Sequence, residues 1–137
     1  MNDQPRNSPG WMIYGANGYT GGLIARQAVA AGHNPILAGR DAAQIEAIAR
    51  ELDCPPRVFS LSSAGGIATR LEGVSAVLHC AGPFSRTAEP MIRACLSARV
   101  NYLDITGELE VIEFAAGQHD QTSYPAPARQ PELLVLK

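Results

Sequence analysis

GANGYTGG, Gly15 to Gly22, places four glycines in eight residues directly after the apolar run Trp11 to Tyr14. Glycine inside a regular element costs roughly 0.5–1 kcal/mol relative to alanine, so such a cluster answers to a turn or to a close backbone approach. A loose surface loop would be flanked by polar residues, and a hairpin would lead into a second alternating strand. The chain runs instead into LIARQAVAAG, Leu23 to Gly32, alanine-rich and helical in its spacing. The stretch reads as strand, glycine turn, helix. In that order the first helical turn leaves backbone N–H donors unpaired at the positive end of the helix dipole, an arrangement that holds a dinucleotide pyrophosphate.

Working outward, strand and helix signals alternate. Gly32 stops the first helix after Ala31, and PILAG, Pro35 to Gly39, reads as a short strand. Asp41 is placed as an N-cap, with Gln44 completing a capping-box pattern, and Ile45, Ile48 and Leu52 share one face of a second helix that stops before Cys54-Pro55-Pro56. RVFSL, Arg57 to Leu61, predicts a third strand, and Ile67 with Leu71 marks a short helix after the Gly65-Gly66 pair. VSAVLHCA, Val74 to Ala81, reads as a buried strand ended by Gly82-Pro83. Thr87 to Ala98 comes next as a helix with Pro90 in its first turn, then NYLDI, Asn101 to Ile105, as a fifth strand. This order predicts an α/β fold, a doubly wound parallel sheet of the Rossmann type with helices on both faces. Ligands of such sheets sit outside the carboxyl ends of the strands. The glycine turn, Gly39-Arg40, Ala81-Gly82-Pro83-Phe84 and Thr106-Gly107-Glu108 all fall at those ends.

Composition sets the outer bounds. The chain has 137 residues, 46% of them apolar, which suits one domain with one core. Lys and Arg number 11 against 13 Asp and Glu, and no basic run stands out, so nucleic acid is not an expected partner. No stretch of about 18 apolar residues suggests a membrane span. The polar start MNDQPRNSPG lacks the build of a secretion signal, so residues 1–10 read as a disordered segment and a cytoplasmic protein is expected. Cys54, Cys80 and Cys95 are widely spaced, as free thiols in a reducing compartment would be. His33, His79 and His119 show no metal-ligand spacing, and no metal is expected.

Gly15, Gly18 and Gly21 form G-x-x-G-x-x-G rather than the commoner G-x-G-x-x-G. Gly18 would let backbone approach the pyrophosphate and Gly21 would let the helix lie close to the sheet, with Asn17, Tyr19 and Thr20 offering further contacts. An NAD site places an acid about 20 residues on, where it binds the ribose 2′-OH. Here that place holds Arg40, whose guanidinium suits a 2′-phosphate. The neighbouring Asp41 could serve as the acid of an NAD site, but it already has a role as a helix cap. The local chemistry favours NADP(H) over NAD(H).

GANGYTGG, ILAGRD, VLHCAGPF, the A-E-P of Ala88 to Pro90 before Ala94-Cys95, and NYLDITGE together resemble the nucleotide-binding half of the saccharopine dehydrogenase-like family, which includes trans-acting enoyl reductases. The resemblance spans residues 11–117. It implies an NADP-type domain with Gly15, Asn17, Gly18, Tyr19, Thr20 and Gly21 on the pyrophosphate, Arg40 on the adenosine phosphate, and Ala81, Gly82 and Pro83 passing near the nicotinamide. Two positions depart from the family pattern: Leu61-Ser62 stands where an acid often ends the third strand, and Arg99 stands where glycine would close a helix in a left-handed cap.

Family members continue into a second domain that shapes the substrate pocket, so this chain reads as a truncated form. Residues 118–137 read as an irregular tail, with an edge strand expected at 133–136. The implied reaction is hydride transfer to or from a small-molecule carbonyl, imine or enoyl group; the alternative is a dinucleotide-binding module or an inactive remnant. No catalytic acid or base is nominated. Asp104 and Glu108 read as turn and helix-start carboxylates, and His79, Cys80 and Tyr102 as core, while no Y-x-x-x-K pair is present. A dimer or a partner chain is expected to cover the surface left by the missing domain.

Overall fold

The computed structural model describes residues 10–62, 66–106, 109–122 and 133–135. Residues 1–9, Gly65, Gly107, Glu108 and Leu136, on which the sequence raises expectations, lie outside them. Strands β1 (Gly10–Tyr14), β2 (Ile36–Gly39), β3 (Pro56–Val58), β4 (Val74–His79), β5 (Asn101–Asp104) and β6 (Leu133–Val135) alternate with helices α1 (Tyr19–Ala30), α2 (Ala42–Leu52), α3 (Ile67–Arg70), α4 (Phe84–Ala98) and α5 (Leu109–Thr122). The strands form one parallel sheet in the order β3-β2-β1-β4-β5-β6. Strand order reverses at β1 and β4, so the crevice of this doubly wound sheet opens at their carboxyl ends.

The period-two alternation of each strand divides the core between two faces. Ile13 and Leu37 meet Ala25, Ile45, Ile48 and Ala49 on one side. Met12, Tyr14, Val77 and Tyr102 meet Met91, Ile92, Cys95, Val111 and Ala115 on the other. Helix α1 is seated by small residues, with Gly21, Gly22 and Ala25 as its buried positions. Helix α2 starts as expected: Asp41 accepts a hydrogen bond from the Gln44 backbone N–H at 3.0 Å. The reciprocal half of the capping box is not made, because the Gln44 side chain accepts from Asn17 Nδ2 at 2.7 Å instead.

Several boundaries differ from the pattern reading. Helix α4 begins at Phe84, three residues before Thr87, so Pro90 lies in its second turn and the Arg86 carbonyl gains no donor from it. Strand β3 ends at Val58, though the Phe59 N–H still bonds the Gly39 carbonyl at 3.0 Å. Strand β4 ends at His79 and is not buried along its whole length. The α1 and α2 layer packs on β1, β2 and β3, and beyond it Ala76, Leu78 and Leu103 are half-buried. Helix α5 continues to Thr122, past residue 117 where helical period fades, because Val111 and Ala115 bury against the core and the helix packs on α4 and β6. Strand β6 adds the expected edge, parallel to β5.

Arg99 adopts the left-handed conformation foreseen for it, with φ 57° and ψ 46°, and closes α4 through its N–H to the Leu96 carbonyl. Only glycine takes that conformation without a Cβ penalty. Arg99→Gly is expected to stabilise the chain by about 1 kcal/mol, read as a higher urea midpoint at unchanged slope; an unchanged or lower midpoint would contradict the cap.

Candidate functional site

A cavity of about 490 Å³ opens at the carboxyl ends of β1 to β4. Of the residues singled out by pattern, Gly15, Asn17, Gly18, Arg40, Ala81, Gly82 and Pro83 line it. Tyr19 and Thr20, in the first turn of α1, are exposed and do not line it, and Gly21 of the same turn is buried. The turn itself is fixed by two glycines. Gly15 has φ +87°, and a Cβ there would stand 2.7 Å from the Ala81 nitrogen. A Cβ on Gly21 would collide with the Gly15 carbonyl. Gly15 therefore admits the β4 loop, and Gly21 admits α1.

The electrostatics of the cavity run one way. The first turn of α1 holds no acidic residue, and no side chain caps it, so its N–H groups face the crevice end uncompensated by carboxylates. Arg40 lines the cavity after β2 and Arg86 after β4, and no carboxylate is among the described lining residues. Asp41 points its oxygen to its own helix instead. Ser60, Leu61 and Ser62 line the cavity near the end of β3, with the two serine hydroxyls 2.7 Å apart. The position where an acid is common near an adenine thus faces the cavity without one.

Pattern reading missed Arg86 and Thr87 as lining residues because it began α4 too late. It also read Cys80 as core, whereas Cys80 is half-buried and reaches the cavity, as Tyr14 does. Neither titrates near neutrality. Burial, with the Asp104 carboxylate nearby, pushes the Cys80 thiol up to about 11. Burial pushes the Tyr14 phenol up to about 12 against the opposing effect of Arg40, and its hydroxyl donates to the Phe59 carbonyl at 2.8 Å. Asp104 is fully buried and accepts from the Tyr102 hydroxyl at 2.6 Å and the Thr106 N–H at 3.1 Å, a turn-forming role. His79 is fully buried, and its ring meets those of Tyr14, Phe84 and Tyr102.

Residues 11–135 match the family model described as the saccharopine dehydrogenase NADP binding domain. The chain belongs to this family. The match runs beyond residue 117, where the sequence motifs end, through α5 and β6. Among curated relatives, a probable mitochondrial saccharopine dehydrogenase-like oxidoreductase of Arabidopsis thaliana is 31% identical over 127 residues, covering 80% of this chain and 28% of the relative. A trans-acting enoyl reductase of Mycobacterium ulcerans is 30% identical over 105 residues, covering 72% of this chain and 25% of the relative. The chain therefore spans about a quarter of the length of these relatives. The fold is shared with apo saccharopine dehydrogenase (L-Glu forming) from Saccharomyces cerevisiae, at TM-score 0.67 and 11% identity over 77% of this chain and 23% of that one. It is shared too with the NAD(P)-binding domain of an exopolyphosphatase-related protein from Archaeoglobus fulgidus, at TM-score 0.65 and 19% identity over 92% and 86%. The family is an NADP-binding one, which favours NADP(H) over NAD(H), and the two arginines of the cavity agree with that preference.

Burial holds His79 neutral by lowering its pKa to about 3. Between about 6.5 and that value the unfolded chain binds a proton at this residue that the folded chain refuses, so stability is full above the unfolded pKa and falls as pH drops. The slope contributed is at most about 1.4 kcal/mol per pH unit. Urea unfolding of the chain and of His79→Asn at about pH 7.5 and about pH 5 is expected to show a smaller acid loss in the variant; equal losses would remove His79 as the source.

Proposed function

We propose that the chain is the cofactor-binding part of an NADP(H)-dependent oxidoreductase that transfers hydride to or from a small-molecule carbonyl, imine or enoyl group. The observation that carries this reading is a strand-end cavity with two arginines and no carboxylate among its described lining residues, beside an uncapped helix N-terminus. The residues fit the group. Gly15, Asn17, Gly18, Tyr19 and Thr20 would hold the pyrophosphate, with Gly21 keeping α1 close enough for its N–H groups to serve. Arg40 would take the adenosine 2′-phosphate, with the Ser60 and Ser62 hydroxyls lining the same cavity. Ala81, Gly82 and Pro83 would border the nicotinamide. When bound, NADP(H) supplies or accepts the hydride, and the protein orients it.

The titratable groups in the cavity, Tyr14 and Cys80, are held protonated at neutral pH, which favours one of two arrangements. Either a further segment or a partner chain supplies the proton chemistry and the substrate pocket, or the chain binds the dinucleotide without turnover. The half-buried stripe of Leu78 and Leu103 beyond the α1 and α2 layer supports the first, since such a face is suited to cover by another domain or a second copy. No helix of the described residues is long and apolar enough to cross a membrane. A reducing compartment such as the cytoplasm suits the three free cysteines.

Calorimetric titration with NADPH and with NADH tests the reading. NADPH is expected to bind more tightly. Arg40→Ala is expected to weaken NADPH by about tenfold or more, the worth of a charge-assisted hydrogen bond, with little change for NADH. Equal affinities for the two, or an equal loss of both in the variant, would overturn the assignment of Arg40.

A further inference from the structure

The loop after β4 is tied to the core by a short chain of hydrogen bonds. Thr87 Oγ1 lies 2.6 Å from the Ala81 carbonyl oxygen and 3.1 Å from the Pro83 carbonyl oxygen. The same oxygen lies 2.9 Å from His79 Nε2. A threonine hydroxyl carries one proton. The carbonyls can only accept, so that proton goes to them, and the 2.6 Å distance assigns it to Ala81. His79 Nε2 must then be the donor to Thr87, which fixes the neutral imidazole with its hydrogen on Nε2 and leaves Nδ1 without a partner among the described residues. The other tautomer would leave three acceptors sharing the single threonine proton. Tyr14, Phe84 and Tyr102 hold the ring in place, with centroids 5.7, 5.5 and 6.0 Å from its own.

We propose that His79 is a positioning residue for the cofactor loop, acting through Thr87 to set which way the Ala81–Gly82 peptide faces. This inference rests on the NADP(H) reading of the cavity. The Ala81–Gly82 bond is trans, the cis bond of the loop being Gly82–Pro83. In a trans peptide the N–H points opposite to the C=O. Drawing the Ala81 carbonyl onto Thr87 therefore turns the Gly82 N–H away from Thr87, and Gly82 lines the cavity. A wall facing an anionic dinucleotide gains from a donor and loses from an unpaired carbonyl. The relay keeps that carbonyl occupied at the part of the cavity assigned to the nicotinamide half, at the far side of the glycine turn from Arg40.

Thr87→Val keeps the shape of the side chain and removes the hydroxyl, whereas Thr87→Ser keeps the hydroxyl. Affinities of each variant for NADPH and for 2′,5′-ADP, which carries only the adenosine end, separate positioning from general damage. Thr87→Val is expected to weaken NADPH about three- to tenfold with 2′,5′-ADP unchanged, and Thr87→Ser to bind both as the parent does. His79→Asn, whose shorter amide matches Nδ1 and withdraws the Nε2 donor, gives an independent reading and is expected to show the same split. Unchanged NADPH affinity in Thr87→Val, or parallel loss of both ligands, would overturn the inference while leaving the cofactor site standing. Failure of the parent chain to bind either ligand would overturn the cofactor reading, and this inference with it.

Discussion

The contact on which the rest of the structure depends is the one between two glycines, Gly21 of α1 and the carbonyl of Gly15 at the end of β1. No side chain fits between them, so the helix axis lies as near the sheet as backbone allows. That closeness brings the start of α1 to the crevice between β1 and β4, where its unpaired N–H groups can meet an anion. Gly15 itself is required twice, by its positive φ and by the approach of the Ala81 nitrogen. The turn is thus a junction of three backbone segments, and the cavity is the space left on their open side.

Around this junction the protein separates charge from structure. Acidic residues near the site are engaged elsewhere: Asp41 caps α2 and Asp104 closes its own turn beneath Tyr102. Arginines are left at the rim on both sides of the glycine turn. Fixed donors, a helix dipole and two permanent cations give a surface whose charge suits a phosphorylated ligand, and Arg40 is the residue proposed for a 2′-phosphate. The titratable groups closest to the site are kept out of the neutral range by burial. Among the described lining residues, Tyr14 and Cys80 both keep their protons at neutral pH.

His79 illustrates how a residue can belong to the core and still bear on the site. Its ring contributes apolar contact with three aromatic neighbours, and its Nε2 reaches the threonine that braces the β4 loop. The energetic cost of a buried imidazole with one nitrogen unpartnered among the described residues is offset by that packing and by one hydrogen bond. The same burial couples stability to acid pH, because only the unfolded chain takes up the proton in the mildly acidic range.

The sequence by itself determined the order of strands and helices along the chain, the glycine turn, the cap at Asp41 and the basic residue after β2. Each of these depends on a residue's own backbone preferences or on neighbours within one helical turn, and such short-range physics is written in local spacing. The tertiary structure alone decided the partners. Gln44 turned from its own helix end to Asn17, Arg86 and Thr87 entered the cavity once α4 began at Phe84, α5 ran on through a glycine because its buried face held it, and Leu78 remained half-covered in a central strand. These outcomes are set by register between strands and by which helix covers which part of the sheet. Such choices bring together residues that lie far apart in the chain, and no local pattern records them.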